Sequence, residues 1–185
     1  FMTGKLEPTN SPYAMAKIAA IEIGRSLNTQ FNHNVINLMP TNLYGPNDFY
    51  SETDSHVIPG LIYRMHRAKT ENLDNFNIWG TGKPLREFLY VDDLSLAINF
   101  IIENEITIDL LNIGSGDEIS IKELSEKIKT VVGYEGVLQF DESKPDGNPR
   151  KLLDSSLINN LGWESTIKLE DGLKKSYDWF LNNKT

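Results

Sequence analysis

Apolar and polar segments alternate along this 185-residue chain in a way that is typical of α/β proteins. The Ala-rich residues 13–29 predict a helix, with Ser11 as its N-cap and Pro12 at its first position. Residues 35–39 form an apolar run that Pro40 closes, as expected for a buried parallel strand.

A loop rich in turn-forming residues, predicted over 41–55, leads to a second helix, predicted over 57–69. The apolar side chains of this helix recur at helical spacing and therefore share one face: Ile58, Leu61, Ile62 and Met65. Strands are predicted at 76–79 and 87–91, on either side of a turn at 80–84.

Helix-start signals mark the second half of the chain. Asp92 or Asp93 is predicted to cap a helix that runs to residue 103. Ser120 and Glu123 form a capping box, in which the hydroxyl and the carboxylate each bind a backbone amide at a helix start. The other predicted elements are a strand at 110–113, the capped helix to 132, a strand at 137–140, and helices at 156–161 and 169–181.

Charge and composition narrow the possible functions. The chain has 18 Lys and Arg against 26 Asp and Glu, a net charge of −8, which argues against nucleic acid or an anionic membrane as a partner. It has no cysteine, which excludes disulfides, thiolate metal sites and a cysteine nucleophile within these residues. The apolar run at 94–102 is far too short to span a membrane, and we expect a cytoplasmic protein without a metal site.

The sharpest chemical signal is the pair Tyr13 and Lys17, which lie four residues apart on a predicted helix and so share one face. A free tyrosine has a pKa of about 10, and a nearby cation favours its phenolate form. Such a pair is suited to acid–base catalysis of carbonyl–alcohol interconversion. The spacing alone is common and is more often that of an ordinary helix flank.

Five segments together resemble the extended short-chain dehydrogenases that modify nucleotide sugars. They are residues 7–10, 39–46, 55–59, 86–93 and 144–154. Within that family, the match is strongest to the epimerase–reductases that act on GDP-4-keto-6-deoxy-D-mannose and form GDP-L-fucose. The segments at 55–59 and 144–147 are more specific than the Tyr/Lys pair.

The resemblance implies an NADP(H) cofactor and roles for several residues. Tyr13 would protonate the C4 oxygen of the sugar, and Lys17 would promote ionisation of the phenol and hold the nicotinamide ribose. His56 would act as acid and base at C3 and C5, for which a histidine, with a pKa of about 6.5, is suited. The residues at or near the nicotinamide would be Tyr13, Lys17, Pro40, Thr41, Asn42, Leu43 and His56.

The substrate implied by the resemblance carries a diphosphate, which needs local positive charge. Residues 61–90 contain five basic and three acidic side chains in an otherwise acidic chain. The family pattern assigns five residues to the nucleotide sugar: Arg64, Trp79, Arg86, Asp146 and Lys151.

Without the family pattern, each of these residues has an ordinary structural interpretation. His56 would be a polar loop residue and Trp79 a core residue, while His33 and His66 are interpreted as structural. Arg67 and Lys69 suit a solvated helix face, and Gly114–Gly116 suits a turn rather than a phosphate loop.

The implied fold is the C-terminal part of a Rossmann-type parallel sheet domain joined to a smaller mixed α/β lobe that binds substrate. Residues 1–56 would end the NADP-binding domain, and residues 57–185 would form mainly the substrate lobe, with 87–116 returning to the first domain. The Gly-rich turn, serine and cysteine that such enzymes place upstream of Tyr13 are not in this sequence. We therefore expect a C-terminal portion that is inactive alone.

Two other functions fit the same pattern. The chain could belong to another nucleotide-sugar epimerase or dehydratase, which would not need an acid–base histidine at C3 and C5, or to a non-catalytic relative that only binds. Family members pair as homodimers through helices that flank the active site. The predicted exposed face of the first helix, available for such pairing, is Ile18, Ile21, Glu22 and Arg25.

Overall fold

A computed structural model describes residues 4–6 and 8–183 of the chain. Glu7, which begins the resembling segment 7–10, lies outside the described residues. A 3-10 turn at Pro8–Asn10 precedes the regular elements. These are α1 (Ser11–Phe31), β1 (Asn37–Pro40), β2 (Asn42–Tyr44), α2 (Val57–Thr70), β3 (Asn75–Trp79), β4 (Leu85–Tyr90), α3 (Val91–Glu103), β5 (Leu110–Ile113), β6 (Glu118–Ser120), α4 (Ile121–Val132), β7 (Val137–Asp141), β8 (Arg150–Lys151), α5 (Ser156–Asn160) and α6 (Leu169–Asn182).

The strands pair mainly in parallel, across helical connections. β1 pairs with β5, β2 with β4, and β3 with β7, each in parallel register. β4 also pairs with β8 in parallel and with β6 in antiparallel register, which makes this sheet mixed. The predicted α/β class, with parallel and mixed sheets, is confirmed.

Two hydrophobic cores hold these layers together. The first contains the predicted face of α2, and all four of its apolar side chains are buried: Ile58, Leu61, Ile62 and Met65. It also takes in Leu124 and Ile128 of α4 and Leu173 of α6. The second core lies between α3, β5 and α5, around Leu111, Ile113 and Ile158. β4 contributes to both cores, which gives this strand a central position between them.

The first helix begins and faces differently from the prediction. Asn10, rather than Ser11, is the N-cap, and its side chain makes no capping hydrogen bond. The predicted exposed face is wrong, because Ile21 is buried and the Arg25 guanidinium binds the Asp109 carboxylate at 2.7 Å. The exposed apolar side chains of α1 are Met15, Ile23 and Phe31.

The prediction that Asp92 or Asp93 caps α3 is also wrong. Tyr90 occupies the N-cap position, and no side chain caps the helix there. Asp93 is completely buried, and its carboxylate accepts hydrogen bonds from the backbone amides of Thr166 (3.1 Å) and Ile167 (3.0 Å) and from the Thr166 hydroxyl (2.8 Å). Asp93 therefore fastens α3 to the segment that leads into α6.

Other helix signals are confirmed, whereas some strands were missed. The capping box is present at α4, where Ser120 and Glu123 bind each other's backbone amides, and Gly133 ends the helix in a left-handed conformation. β1 begins at residue 37, two residues later than predicted, and the predicted loop contains β2. The two short strands β6 and β8 carry too few residues for a periodic signal. In the described part of the chain, no helix is long and apolar enough to cross a membrane.

Candidate active site

A cleft of about 830 Å³ opens at the carboxyl ends of β1 and β2, the edge of a parallel sheet at which ligands usually bind. Side chains from both cores and from the start of α1 reach it. Its walls are Tyr13, the segment 40–48, the segment 55–59, Arg86, Phe88, Val91 and Lys151.

The strip that follows β1 is held in place by the neighbouring strands. The backbone amide of Thr41 donates to Ile113 O at 2.9 Å. The side chains of Thr41 and Asn42 both donate to the carbonyl of Glu87, at 3.3 and 2.8 Å. Pro40 and Leu43 add apolar surface on either side of these residues. The strip is thus a fixed, partly apolar wall of the cleft.

Tyr13 and Lys17 lie together on α1, as their spacing predicts. The Tyr13 side chain lines the cleft and is 60% exposed. The Lys17 ammonium sits over the Tyr13 ring, 5.4 Å from its centre. Lys17 itself is not among the residues that line the cleft, and it contacts Tyr13, which does.

His56 enters the cleft from the N-cap of α2. It has extended backbone angles, and its side chain makes no capping hydrogen bond and is 88% exposed. Its Nδ1 atom lies 3.9 Å from Oδ1 of Asp48, another wall residue. The sequence analysis missed Asp48, whose proximity to His56 depends on how the loop 46–56 folds back. An imidazole with a carboxylate beside it is suited to proton transfer.

A smaller hollow of about 270 Å³ adjoins the cleft. Ser55, His56, Val57 and Arg86 line both spaces. The other walls of the hollow are Glu52, Thr53, Gly60, Leu61, Arg64, Ile78, Trp79, Ile121 and Asp146. Cleft and hollow together form one continuous candidate site.

Two arginines in this site form no salt bridge in the part of the chain that the structure describes. Arg64 packs on the Phe76 ring at 5.3 Å, and Arg86 donates to Leu85 O at 2.7 Å. Burial lowers the pKa of both guanidinium groups. Across residues 4–6 and 8–183 neither Arg64 nor Arg86 forms an ion pair. By contrast, Arg67, which lies on α2 together with Arg64, binds two glutamates. Arg64 and Arg86 are therefore free to bind an anion.

The strand pairing adds a third cation. Arg86 on β4 is the register partner of Lys151 on β8, and both line the cleft. Register partners in a sheet point to the same face, and like charges so placed repel each other. A bound anion between them would relieve that repulsion.

Asp146 and Trp79 frame the hollow. The Asp146 carboxylate accepts hydrogen bonds from the Thr81 backbone amide (2.7 Å) and hydroxyl (2.8 Å), which lower its pKa. Gly80 makes this contact possible, because it has a φ of +83° and a Cβ there would lie 2.3 Å from Asp146 Oδ1. Trp79 at the end of β3 is 69% exposed and is therefore not the core residue that its type alone suggests.

The structure thus brings the predicted residues together in one region. With the exception of Lys17, each of them lines the cleft or the hollow. His33 and His66, interpreted as structural, line neither of these spaces, and His66 Nδ1 lies 2.9 Å from the Tyr177 hydroxyl. Besides Asp48, the sequence analysis missed Glu87, whose only signal was a carboxylate directly before the apolar run 88–91.

Comparison with known proteins finds relatives along almost the whole chain. It is 50% identical over 182 residues to a GDP-L-fucose synthase 1 of Arabidopsis thaliana, covering 98% of this chain and 56% of the relative. It is 46% identical over 191 residues to a GDP-L-fucose synthase of Escherichia coli (strain K12), covering 98% and 60%. The chain therefore spans a little over half the length of these relatives.

A solved structure also matches this chain along almost its whole length. A GDP-L-fucose synthetase from Naegleria fowleri bound to NADP superposes with a TM-score of 0.90 at 29% identity, covering 98% of this chain and 59% of that one. The family model described as the NAD dependent epimerase/dehydratase family matches residues 1–114. That match covers more than half of the chain and includes Tyr13, Lys17, His56 and both unpaired arginines. The chain belongs to the NAD dependent epimerase/dehydratase family.

Proposed function

We propose that the protein converts GDP-4-keto-6-deoxy-D-mannose to GDP-L-fucose, by epimerisation at C3 and C5 and NADPH-dependent reduction at C4. The observation that carries this proposal is the convergence on one site of a phenol beside a lysine, an imidazole beside a carboxylate, and a group of unpaired cations. The names of the relatives from Arabidopsis and Escherichia coli support the choice of substrate.

The cleft wall suits the nicotinamide end of NADPH. Pro40 and Leu43 offer apolar surface for a flat ring, and Thr41 and Asn42 are held rigid by the Glu87 carbonyl. Tyr13, Lys17 and His56 complete the set of residues that we assign to the cofactor. When bound, the cofactor supplies the hydride for reduction at C4.

Tyr13 is the proton donor at the C4 oxygen. Its phenol is exposed to the cleft, where a keto sugar has room to approach. Reduction of a ketone requires one proton on the oxygen, and the phenol supplies it with the Lys17 ammonium 5.4 Å from the centre of its ring.

His56 moves protons at C3 and C5. The protons on carbons beside a ketone are acidic, because the electron pair left behind delocalises onto the carbonyl oxygen. His56 removes such a proton as a base, with the Asp48 carboxylate 3.9 Å from its Nδ1 atom. Return of a proton to the opposite face of the carbon then inverts the stereocentre.

The cations hold the diphosphate of the substrate. Arg86 and Lys151 point to the same face of the sheet, and Arg64 faces the same site from α2. Trp79 offers an exposed aromatic face beside them, and Asp146 completes the wall. We therefore propose that the sugar points towards Tyr13 and His56 and the nucleoside towards the hollow.

Two variants of the full-length protein test the proposal with separate readouts in D₂O. We expect Tyr13→Phe to abolish NADPH oxidation while deuterium exchange at C3 and C5 continues, because only the donor at C4 is lost. We expect His56→Gln to lose the exchange, whereas the matched control His33→Gln exchanges at the unmutated rate, since His33 lies outside the site. Unmutated rates in Tyr13→Phe and His56→Gln would remove both residues from the proposed roles. Exchange at neither carbon in the unmutated protein would favour a simple 4-epimerase.

We also propose that the protein acts in the cytoplasm as a homodimer that pairs through α1. The exposed apolar side chains Met15, Ile23 and Phe31 support this helix as the contact, because apolar side chains on one helix favour association with another surface. Sedimentation of the full-length protein and of Ile23→Glu would test the pairing. A dimer that persists unchanged in Ile23→Glu would exclude α1 as the contact.

A further inference from the structure

Glu87 is a fully buried carboxylate next to the site. Its side chain is completely buried in β4, between Arg86 and Phe88, both of which line the cleft. Its carboxylate has no cationic partner in the described ranges 4–6 and 8–183. A buried carboxylate without a cation must be stabilised by hydrogen bonds, so its acceptor contacts indicate what it holds.

The contacts of Glu87 join three separate segments of the chain. One carboxylate oxygen accepts from the Gly116 amide at 2.8 Å, and the other accepts from the Leu153 amide at 3.1 Å. Its backbone carbonyl accepts from the side chains of Thr41 and Asn42. Glu87 thus fixes the strip that follows β1 with its backbone, and the segment after β8 with its side chain.

The surroundings leave space for this carboxylate and little else. A Cβ on Gly114 would lie 2.2 Å from Glu87 Oε1 and 2.8 Å from the Ser155 hydroxyl oxygen. Only a glycine at position 114 therefore allows the carboxylate to reach the Gly116 amide. The Glu87 side chain is held in one position, and the segment that it binds is held with it.

The segment bound by Glu87 carries Lys151. β8 has only two residues, and its sheet contacts are the pairing with Leu85 and Arg86 and the bond from the Leu85 amide to Pro149 O. A strand this short needs further anchors. Leu153, two residues after Lys151, is bound to Glu87 from the inside, and Arg150 forms a two-bond ion pair with Glu118 at the surface.

We propose that Glu87 is a positioning residue for diphosphate binding, which holds β8 from the inside, while the Arg150–Glu118 pair holds it from the outside. The two anchors hold Lys151 in place as the register partner of Arg86. The inference rests on the proposed function, because it assigns the role of Lys151 to the diphosphate of the substrate. Glu87 does not touch the substrate, and it acts through Lys151.

The test measures GDP binding to the full-length protein by titration calorimetry, independently of catalysis. Glu87→Gln keeps the shape of the side chain but turns an NH₂ group towards one of the two amides, which loses its acceptor. We expect about tenfold weaker GDP binding. In a Lys151→Met background the same substitution changes the affinity by less than about twofold, because the residue through which it acts is gone.

Two further variants separate positioning from stability. Asp93→Asn alters another fully buried carboxylate that accepts backbone amides, but Asp93 lines neither the cleft nor the hollow. It should lower the urea midpoint and leave GDP affinity unchanged. The surface double variant Glu118→Gln/Arg150→Met removes the outer anchor without leaving an unpaired charge, and should weaken GDP binding about threefold. If Glu87→Gln does not fold, the double variant tests the proposal instead. Its GDP affinity is then compared with and without Lys151→Met, as for Glu87→Gln.

The outcomes distinguish this inference from the proposed function. If the unmutated protein does not bind GDP, the proposed function fails and this inference fails with it. If the unmutated protein binds GDP but the anchor variants bind it equally well, the proposed function stands and the positioning role is overturned. Weakening that persists in the Lys151→Met background would also overturn it, because Glu87 would then act by another route.

Discussion

Replacing Arg64 with methionine should weaken GDP binding without weakening the fold. The guanidinium is half-buried, burial lowers its pKa, and it has no ion-pair partner within residues 4–6 and 8–183. A desolvated, unpaired charge contributes little to folding. Its placement in the hollow is understandable if an anion binds there.

The magnitudes follow from the contacts that Arg64 makes. Its stacking on Phe76 contributes about 0.5–1 kcal/mol, and this loss is offset because methionine keeps the apolar packing and buries no charge. The free energy of unfolding should therefore change by less than about 1 kcal/mol. A charge-assisted hydrogen bond to phosphate contributes about 1.5–3 kcal/mol, so the Kd for GDP should rise about ten- to a hundredfold.

Urea unfolding and calorimetric titration with GDP measure the two quantities on the same full-length protein. Arg67→Met is the matched control, because Arg67 lies one turn further along α2 and is paired with Glu52 and Glu71. Exposed pairs contribute about 0.2–1 kcal/mol, so this control should lose a little stability and keep its GDP affinity. An unchanged Kd in Arg64→Met, or a loss of more than about 2 kcal/mol in its stability, would refute the assignment of Arg64 to an anion site.

Three further predictions concern stability, each measured by urea unfolding. Asp93→Asn should lower the free energy of unfolding by about 2–3 kcal/mol, because its NH₂ group faces the partly buried Ile167 amide and leaves that amide without an acceptor. Gly80→Ala should cost at least about 1–2 kcal/mol, because alanine at a φ of +83° is strained and its Cβ displaces the Asp146 carboxylate. Burial raises the pKa of Tyr50 from 10.0 to about 12 in the folded protein, so its contribution to stability is complete below about pH 10 and is lost as the pH rises towards 12.

Each of these predictions has its own control. For Asp93→Asn the control is Asp92→Asn, because Asp92 is the exposed neighbour of Asp93, and it should change the free energy of unfolding by less than about 0.5 kcal/mol. Equal losses of stability in the two variants would indicate an effect of charge at the helix end instead. Gly116 also has a positive φ but has free space at its Cβ, so Gly116→Ala should cost less than Gly80→Ala. Tyr50→Phe should flatten the alkaline slope, and an unchanged slope would assign it to other tyrosines.

Local features of this protein could be predicted from the sequence because they depend on residues within one or two helical turns. The capping box of Ser120 and Glu123 needs only a three-residue spacing, and it is present. The buried face of α2 follows from the period of the helix. The pairing of Tyr13 with Lys17 follows from a four-residue spacing in the same way.

The family resemblance extended these local signals to residues far apart in the chain. Arg64, Trp79 and Asp146 were assigned to one site from short motifs, and the structure brings them into one hollow. The motifs carried no geometry, however. They assigned Arg64 to the site and Arg67 to a solvated face, but they did not show that Arg67 is paired with Glu52, because that contact depends on how the loop before α2 folds.

Only the tertiary structure determined the contacts that join distant segments. Asp93, expected at a helix end, binds residues 73 and 74 positions away, and Glu87 binds amides 29 and 66 positions away. The register that sets Arg86 beside Lys151 likewise comes from the pairing of β4 with β8, a strand of two residues. Periodicity reports which face of an element is buried, but it carries no information about which element covers that face. The residues of the candidate site could therefore be predicted from the sequence. The carboxylates of Asp93 and Glu87, which join distant segments of the chain, could be identified only from the fold.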